Sequence, residues 1–258
     1  MPIERMLWNK TLNKEWMPAW PCPGCGRASL AIVKDSFHTV LDGKTSQVWN
    51  DHDFEHECAT GRFVCIFRCS RTDCEEACSV SGNYDTSIAE TEQASLPYAD
   101  CRPTSITPPP PMIQIPRACP DVVRAEVKGA FSLYWSDLAS SLNRIRNALE
   151  LVLSDLDVPG TTLTSKRKRG RLSLHQRIER LAVKRPSLKE MCERMMAVKH
   201  LGNVGSHPGI KVKADDVFDG FNILERVLQD MYSEHPRELT RTVRQINKRK
   251  GPRKRKDD

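Results

Sequence analysis

The sequence predicts an α+β protein whose two classes are segregated along the chain. A small β-rich, cysteine-ligated module comes first, and an all-α bundle of about four helices follows. Three observations carry this expectation. Nine of the ten cysteines precede residue 120. A segment with six prolines, ITPPPPMIQIPRACP, then interrupts the chain. Beyond it, apolar residues recur at steps of three and four, the period of a helix face.

The first part reads as short strands and loops. Trp8, Trp16 and Trp20 lead into WPCPGCG, after which Leu30-Ala31-Ile32-Val33 predicts a strand. RFVCIFRC predicts a second, with Phe63, Cys65 and Phe67 on one face and Val64 and Ile66 on the other. The chain after Cys74 returns toward Gly82 as a hairpin partner. Proline cannot sit inside a helix, so 105–120 reads as an extended connector. The expected organisation is a zinc-ribbon-like module at 1–104, a proline-rich linker at 105–120, a helical bundle at 121–235 and a basic tail at 236–258.

In the helical part, Val123, Val127, Phe131, Tyr134, Leu138, Leu142, Ile145, Leu149 and Val152 form one apolar stripe, which predicts a single long helix ended by Pro159-Gly160. Ser173 offers an N-cap for a second helix over LHQRIERLAVKR, and Ser187 for a third running toward Pro208-Gly209. Asp215 and Asp216 favour the start of a fourth, whose stripe is Val217, Phe221, Leu224, Leu228 and Met231.

Composition bounds the function. The 258 residues, 39% hydrophobic, allow one large core or two small ones. No stretch reaches the ~18–20 apolar residues of a membrane span. Charges early in MPIERMLWNKTLNKEW argue against a signal peptide, so a cytoplasmic protein with no membrane partner is expected. Clustered cysteines ahead of a long helical region suit a metal site in a reducing compartment better than a disulfide scaffold. The net charge of +7 is uneven: the stretch from Arg244 to Asp258 contributes +6 and the stretch 166–171 contributes +5, leaving −4 elsewhere. Attraction to polyanions therefore belongs to those two segments.

The strongest motif is Cys22-Pro-Gly-Cys25-Gly. Two thiolates at this spacing reach one tetrahedral ion, and the glycines permit the tight turn. Cys69 and Cys74, at the end of a strand, are the best second pair. Cys65, Cys78 and the pair His52 and His56 compete, but Cys65 falls among apolar strand residues and the histidines lie in the acidic segment DHDFEHEC. Cys58, Cys101, Cys119 and Cys192 have no partner at ligand spacing. Four thiolates leave no open coordination position, so the expected cofactor is a structural Zn2+.

A second constellation ends the third predicted helix, at KHLGNVGSHP. Lys199, Asn203 and His207 fall at i, i+4 and i+8, along one helix face. Gly202 and Gly205 remove bulk there, which serves either close helix packing with a C-cap or a functional site. Arg146 and Glu150, at i and i+4 on the first helix, are candidate partners, either as a surface ion pair or as a polar network with Asn203 and His207.

CPGCG, FRCSRTDC, the proline-rich connector, NRIRNALELVL and KHLGNVGSHP together resemble the prokaryotic domain-of-unknown-function family 4145, over roughly residues 20–235. That family looks like a branch of the HEPN superfamily of helical bundles, which usually dimerise. Many of them are metal-independent ribonucleases with an Arg followed, four to six residues later, by His. The resemblance implies a HEPN-like bundle, a homodimer through it, and a setting of defence or restriction with a protein partner there. Asn203 matches the motif Asn and His207 the motif His, which would act as general acid or base. The Arg position is Gly202, a departure that removes the group expected to stabilise phosphate charge. Lys199 or Arg194 are the candidates to replace it.

Two basic segments complete the reading. Lys166, Arg167, Lys168, Arg169 and Arg171 lie between the first and second predicted helices, and Lys248, Arg249, Lys250, Arg253, Lys254, Arg255 and Lys256 end the chain. Neither is interleaved with aromatics, so any RNA or DNA contact would be phosphate-directed, salt-sensitive and indifferent to sequence. Three functions follow as expectations. The first is a non-catalytic or degenerate HEPN-like accessory protein that binds nucleic acid or a protein. The second is a metal-independent endoribonuclease using His207, and the third a homodimeric adaptor with no nucleic-acid role. Gly202 favours the first.

Overall fold

The computed structural model describes residues 3–9, 11–12, 17–90, 95–163, 169–204, 211–233 and 243–249. It is α+β and segregated as expected, with strands dominating the first part and helices the second. A short helix α1 (Arg5–Asn9) precedes β1 (Leu30–Ile32), β2 (His38–Leu41), helix α2 (Gly43–Val48), β3 (Thr60–Cys69), β4 (Ala77–Glu90) and β5 (Ser95–Thr107). These strands make one antiparallel sheet in the order β1-β3-β4-β5, with β2 also pairing with β3. Alternation along β3 is strict: Phe63, Cys65 and Phe67 are buried, whereas Val64 and Ile66 face solvent.

Strand β5 was not expected from the sequence. Its Pro97 and Pro103 argue against a central strand, but β5 lies at the sheet edge, where a missing N–H is tolerated. The strand also runs through 105–107, so the proline-rich segment begins at Pro108 rather than at 105. That segment is docked along its length. Met112, Ile113 and Cys119 are buried, Gln114 donates its backbone N–H to Glu225 at 2.7 Å, and Arg124 donates to the carbonyls of Pro116, Arg117 and Cys119 at 3.1–3.2 Å.

The helical part contains α3 (Asp121–Leu133), α4 (Leu138–Asp155), α5 (Leu174–Lys184), α6 (Lys189–Val204) and α7 (Ala214–Tyr232). The single long first helix is corrected to two. Asp137 ends the run by capping α4, its carboxylate accepting from the Ser140 N–H at 3.0 Å. α4 then returns antiparallel along α3, held by the Ser141 hydroxyl on the Ala130 carbonyl (2.8 Å) and the Arg144–Glu126 pair (2.9 Å). The apolar period runs unbroken through this reversal because both helices face one core. Ser173 caps α5 with a full capping box. Pro186–Leu188 form a 3-10 turn, so α6 starts at Lys189, beyond the predicted Ser187 cap.

An antiparallel pair of β6 (Thr161–Leu163) and β7 (Arg169–Arg171) lies between α4 and α5. Residues 243–249 are helical and exposed.

Buried apolar residues of both parts form one contiguous cluster. Its joint is aromatic. Trp20 packs on Phe67 (centroids 5.3 Å) and edge-on to Trp135 (5.2 Å) in the α3–α4 turn, and Trp135 also meets Trp8 and Tyr134. The start of the chain straps this joint. Arg5 pairs with Asp215 and Asp219 of α7 at 2.6 and 2.5 Å, while Leu12 bridges to Cys101 of β5. Among the described residues, no helix is long and apolar enough to cross a membrane.

Candidate metal centre and the helical face

Two turns place the cysteines. In the first, the Gly26 N–H donates to the Cys22 carbonyl at 2.9 Å, and Gly26 takes φ +60°, a conformation glycine adopts without a Cβ clash. The second follows β3, where the N–H groups of Cys74 and Glu75 reach the Arg71 carbonyl at 3.3 and 3.2 Å. Here Glu75 takes the left-handed position, at φ +50°. Pairing of Leu30 with Cys69 brings the turns face to face.

Cys22, Cys25, Cys69 and Cys74 thus converge, all four sulfurs lying within 4.8 Å of one another. The Cys22–Cys74 and Cys25–Cys69 sulfurs are 3.8 and 3.7 Å apart. Thiolates ~2.3 Å from a tetrahedral ion lie ~3.8 Å from each other, so this donor set fits such an ion.

The amides support the same reading. The N–H groups of Arg27, Arg71 and Glu76 point at the sulfurs two residues before them, those of Cys25, Cys69 and Cys74. Donors aimed at sulfur favour thiolate over thiol. The Arg27 amide, joined by Cys69 and Ala28, brings Cys25 down to about 6. The Arg71 amide also pulls on Cys69, but burial and the neighbouring cysteines outweigh it and push this thiol up to about 12.

The competing ligands lie elsewhere. Cys65 and Cys78 are buried, and burial pushes each up to about 12; burial likewise raises Cys101, Cys119 and Cys192. These thiols are core. His52 is fully exposed beside Asp53, and Cys58 is exposed.

On the helical side, Lys199 and Asn203 are half-buried on α6, and His207 lies outside the described residues. Gly202 is buried, and a Cβ there would sit 2.9 Å from Arg146 Cβ and 3.0 Å from its Cδ. Arg146 of α4 therefore lies along α6 in the space this glycine opens. Its guanidinium faces Glu150 at 3.4 Å, and Glu150 also faces Arg171 of β7 at 3.5 Å. Arg194, a candidate replacement cation, is held by Glu190 and by Asp230 of α7 (2.8 Å).

Sequence reasoning missed Arg177 of α5. It is buried at 4% exposure, and its guanidinium donates to the carbonyls of Glu150 and Val158 and to the Ser154 hydroxyl at 2.9–3.1 Å. Its place on the inward side of an amphipathic helix, in step with Leu174, Ile178 and Leu181, was the available signal. Of the basic segments, Arg169 and Arg171 lie on β7, and Lys248 and Arg249 on the exposed helical stretch. Lys166, Arg167, Lys168, Lys250, Arg253, Lys254, Arg255 and Lys256 lie outside the described residues.

Comparison with known proteins gives two family matches. Residues 10–100 match the family described as Domain of unknown function (DUF8608), and residues 128–249 match Domain of unknown function (DUF4145). Neither the curated proteins nor the solved structures contain a match. The resemblance read over residues 20–235 is thereby divided, since the cysteine turns fall in the first match and the GNVGSH segment in the second. Over residues 128–249, the chain is similar to the DUF4145 family.

Proposed function

We propose that this chain is a zinc-stabilised, HEPN-like accessory protein that binds nucleic acid through phosphate contacts and does not cleave it. The observation that carries the non-catalytic reading is at Gly202. The position where the HEPN motif wants Arg has no side chain, and its space is taken by Arg146, which faces Glu150. The one arginine of α6, Arg194, is committed to Glu190 and Asp230. Without an arginine of its own at this position of α6, the motif lacks the group it uses to stabilise developing phosphate charge.

Zinc is the ion that best suits four thiolates in a closed tetrahedron, where it holds structure and does no chemistry. Binding of polyanions is supported by the +5 and +6 concentrated in 166–171 and in the stretch from Arg244 to Asp258. A homodimer through the helical bundle, and a defence or restriction setting with a protein partner, belong to the same proposal and rest on the family resemblance.

The test is an RNA cleavage and binding assay without added divalent cations and without chelator, with wild type beside His207→Ala. We expect no cleavage by either, and RNA binding that falls steeply with salt. Cleavage by wild type that disappears in His207→Ala would establish the endoribonuclease instead. A dimer with neither effect would leave the adaptor.

A further inference from the structure

α4 presents Asn143, Arg146, Asn147 and Glu150 at i, i+3, i+4 and i+7, one polar face opposite the buried Leu142, Ile145 and Leu149. Together with Arg171 of β7 and Ser173 at the start of α5, this face encloses a cleft of about 480 Å³.

Its charges are not matched. Glu150 offers one oxygen to Arg146 at 3.4 Å and the other to Arg171 at 3.5 Å. Both distances are long beside the ~2.7–2.9 Å of a formed charge-assisted hydrogen bond. Arg146 Nε is buried with no partner among the described residues, and the Arg171 side chain is 84% exposed. Arg177 lies behind them with its guanidinium on the Glu150 main-chain carbonyl, so the one carboxylate faces two guanidinium groups and a third positive charge stands behind it. The side-chain amides of Asn143 and Asn147 add neutral donors. A low-dielectric wall behind unsaturated guanidinium forks favours an anion that can accept several hydrogen bonds at once.

The geometry points to this cleft as a phosphate-binding site, in which Arg146 and Arg171 grip one phosphate group from both sides and Glu150 competes with it for them. The inference deepens the proposed polyanion binding and rests on that reading. It assigns the gripping role to a folded cleft rather than to the basic tail. The phosphate can belong to a nucleic-acid backbone or to a small phosphate compound.

The experiment measures binding of labelled single-stranded RNA by fluorescence anisotropy, and of inorganic pyrophosphate by calorimetry, on the full chain. Wild type is compared with Arg171→Ala, with Glu150→Gln, and with a chain whose Lys and Arg residues between 248 and 256 are changed to Gln. Arg171→Ala removes an exposed side chain and should weaken both ligands about tenfold. Glu150→Gln should tighten both several-fold, roughly three- to tenfold, because the internal competitor loses its charge. A merely structural ion pair would not give tighter binding on losing its acid.

Unchanged affinities in both cleft variants, with RNA binding lost only in the tail variant, would overturn the cleft and leave the polyanion reading standing. Pyrophosphate binding with the expected variant pattern, but no RNA binding, would uphold the cleft and overturn the nucleic-acid reading. Binding of neither ligand by wild type would overturn both.

Discussion

Replacing Cys25 by Ser tests the metal centre most directly. The four sulfurs already stand at the separations a tetrahedral ion imposes, 3.7 and 3.8 Å for two of the pairs, and the amides of Arg27, Arg71 and Glu76 point at them. Little reorganisation then opposes binding, and structural zinc in such sites contributes ~10–16 kcal/mol. A whole domain has only ~5–15 kcal/mol of net stability, so weakening the site removes a share the small sheet cannot replace. In Cys25→Ser, and in wild type after chelation, we expect loss of the metal and unfolding of the sheet region. The helical far-ultraviolet signal should largely persist, since α3–α7 keep their own apolar stripe. Trp20, buried at 1% and 5.2 Å from Trp135, should then report exposure as a red shift of tryptophan emission. Metal analysis should find one ion per chain, and cobalt substitution should give the intense visible bands of a tetrahedral thiolate site. Protein purified without chelator that holds no stoichiometric metal would refute the reasoning. So would a Cys25→Ser melting curve superimposable on that of wild type.

Three further outcomes follow from local geometry. Glu75→Gly should stabilise the protein by about 1 kcal/mol in denaturant titration, because Glu75 stands at φ +50° where the matching turn uses Gly26. Gly82→Ala should cost roughly 3 kcal/mol, since the new Cβ would lie 2.0 Å from the Arg102 carbonyl oxygen and 2.8 Å from the Phe63 ring, at a bulge that cannot open. Asp42 caps α2 through the Thr45 N–H and accepts from the Thr60 hydroxyl, contacts that hold its carboxyl down to about 2. Its unfolded value is near 3.9, so its stabilising contribution is complete above about pH 4 and disappears as pH falls through about 2. Asp42→Asn should flatten that part of the acid melting profile.

What the sequence made legible was local chemistry. CPGCG names its own turn, β3 shows its faces by alternation, and Ser173 announces α5, because each signal lies within a few residues. The partner turn at Cys69 and Cys74 was legible for the same reason. Direction was not. The stripe from Val123 to Val152 has one period on both sides of Asp137, and periodicity reports which face is buried without reporting that the chain turns back. β5 was hidden because its prolines are permitted only by its position at an edge, which is a property of the whole sheet.

The largest departure concerns the relation between the two parts. Proline content and a change of period suggested a linker between separate cores, and composition holds no information about what a proline-rich stretch packs against. Met112 and Ile113 are buried all the same, and Trp8, Trp20 and Trp135 join the sheet to the helical turn. Each tryptophan could have been read as local core. Their meeting is a contact between residues more than a hundred positions apart. The same holds for Arg146 and Gly202. The glycine read from its own helix is a departure from a motif, whereas seen with α4 it is the room into which another helix lays its arginine. A glycine on one helix and a cation laid over it from another are one arrangement. The functional question at this face therefore turns on what Arg146 holds besides Glu150.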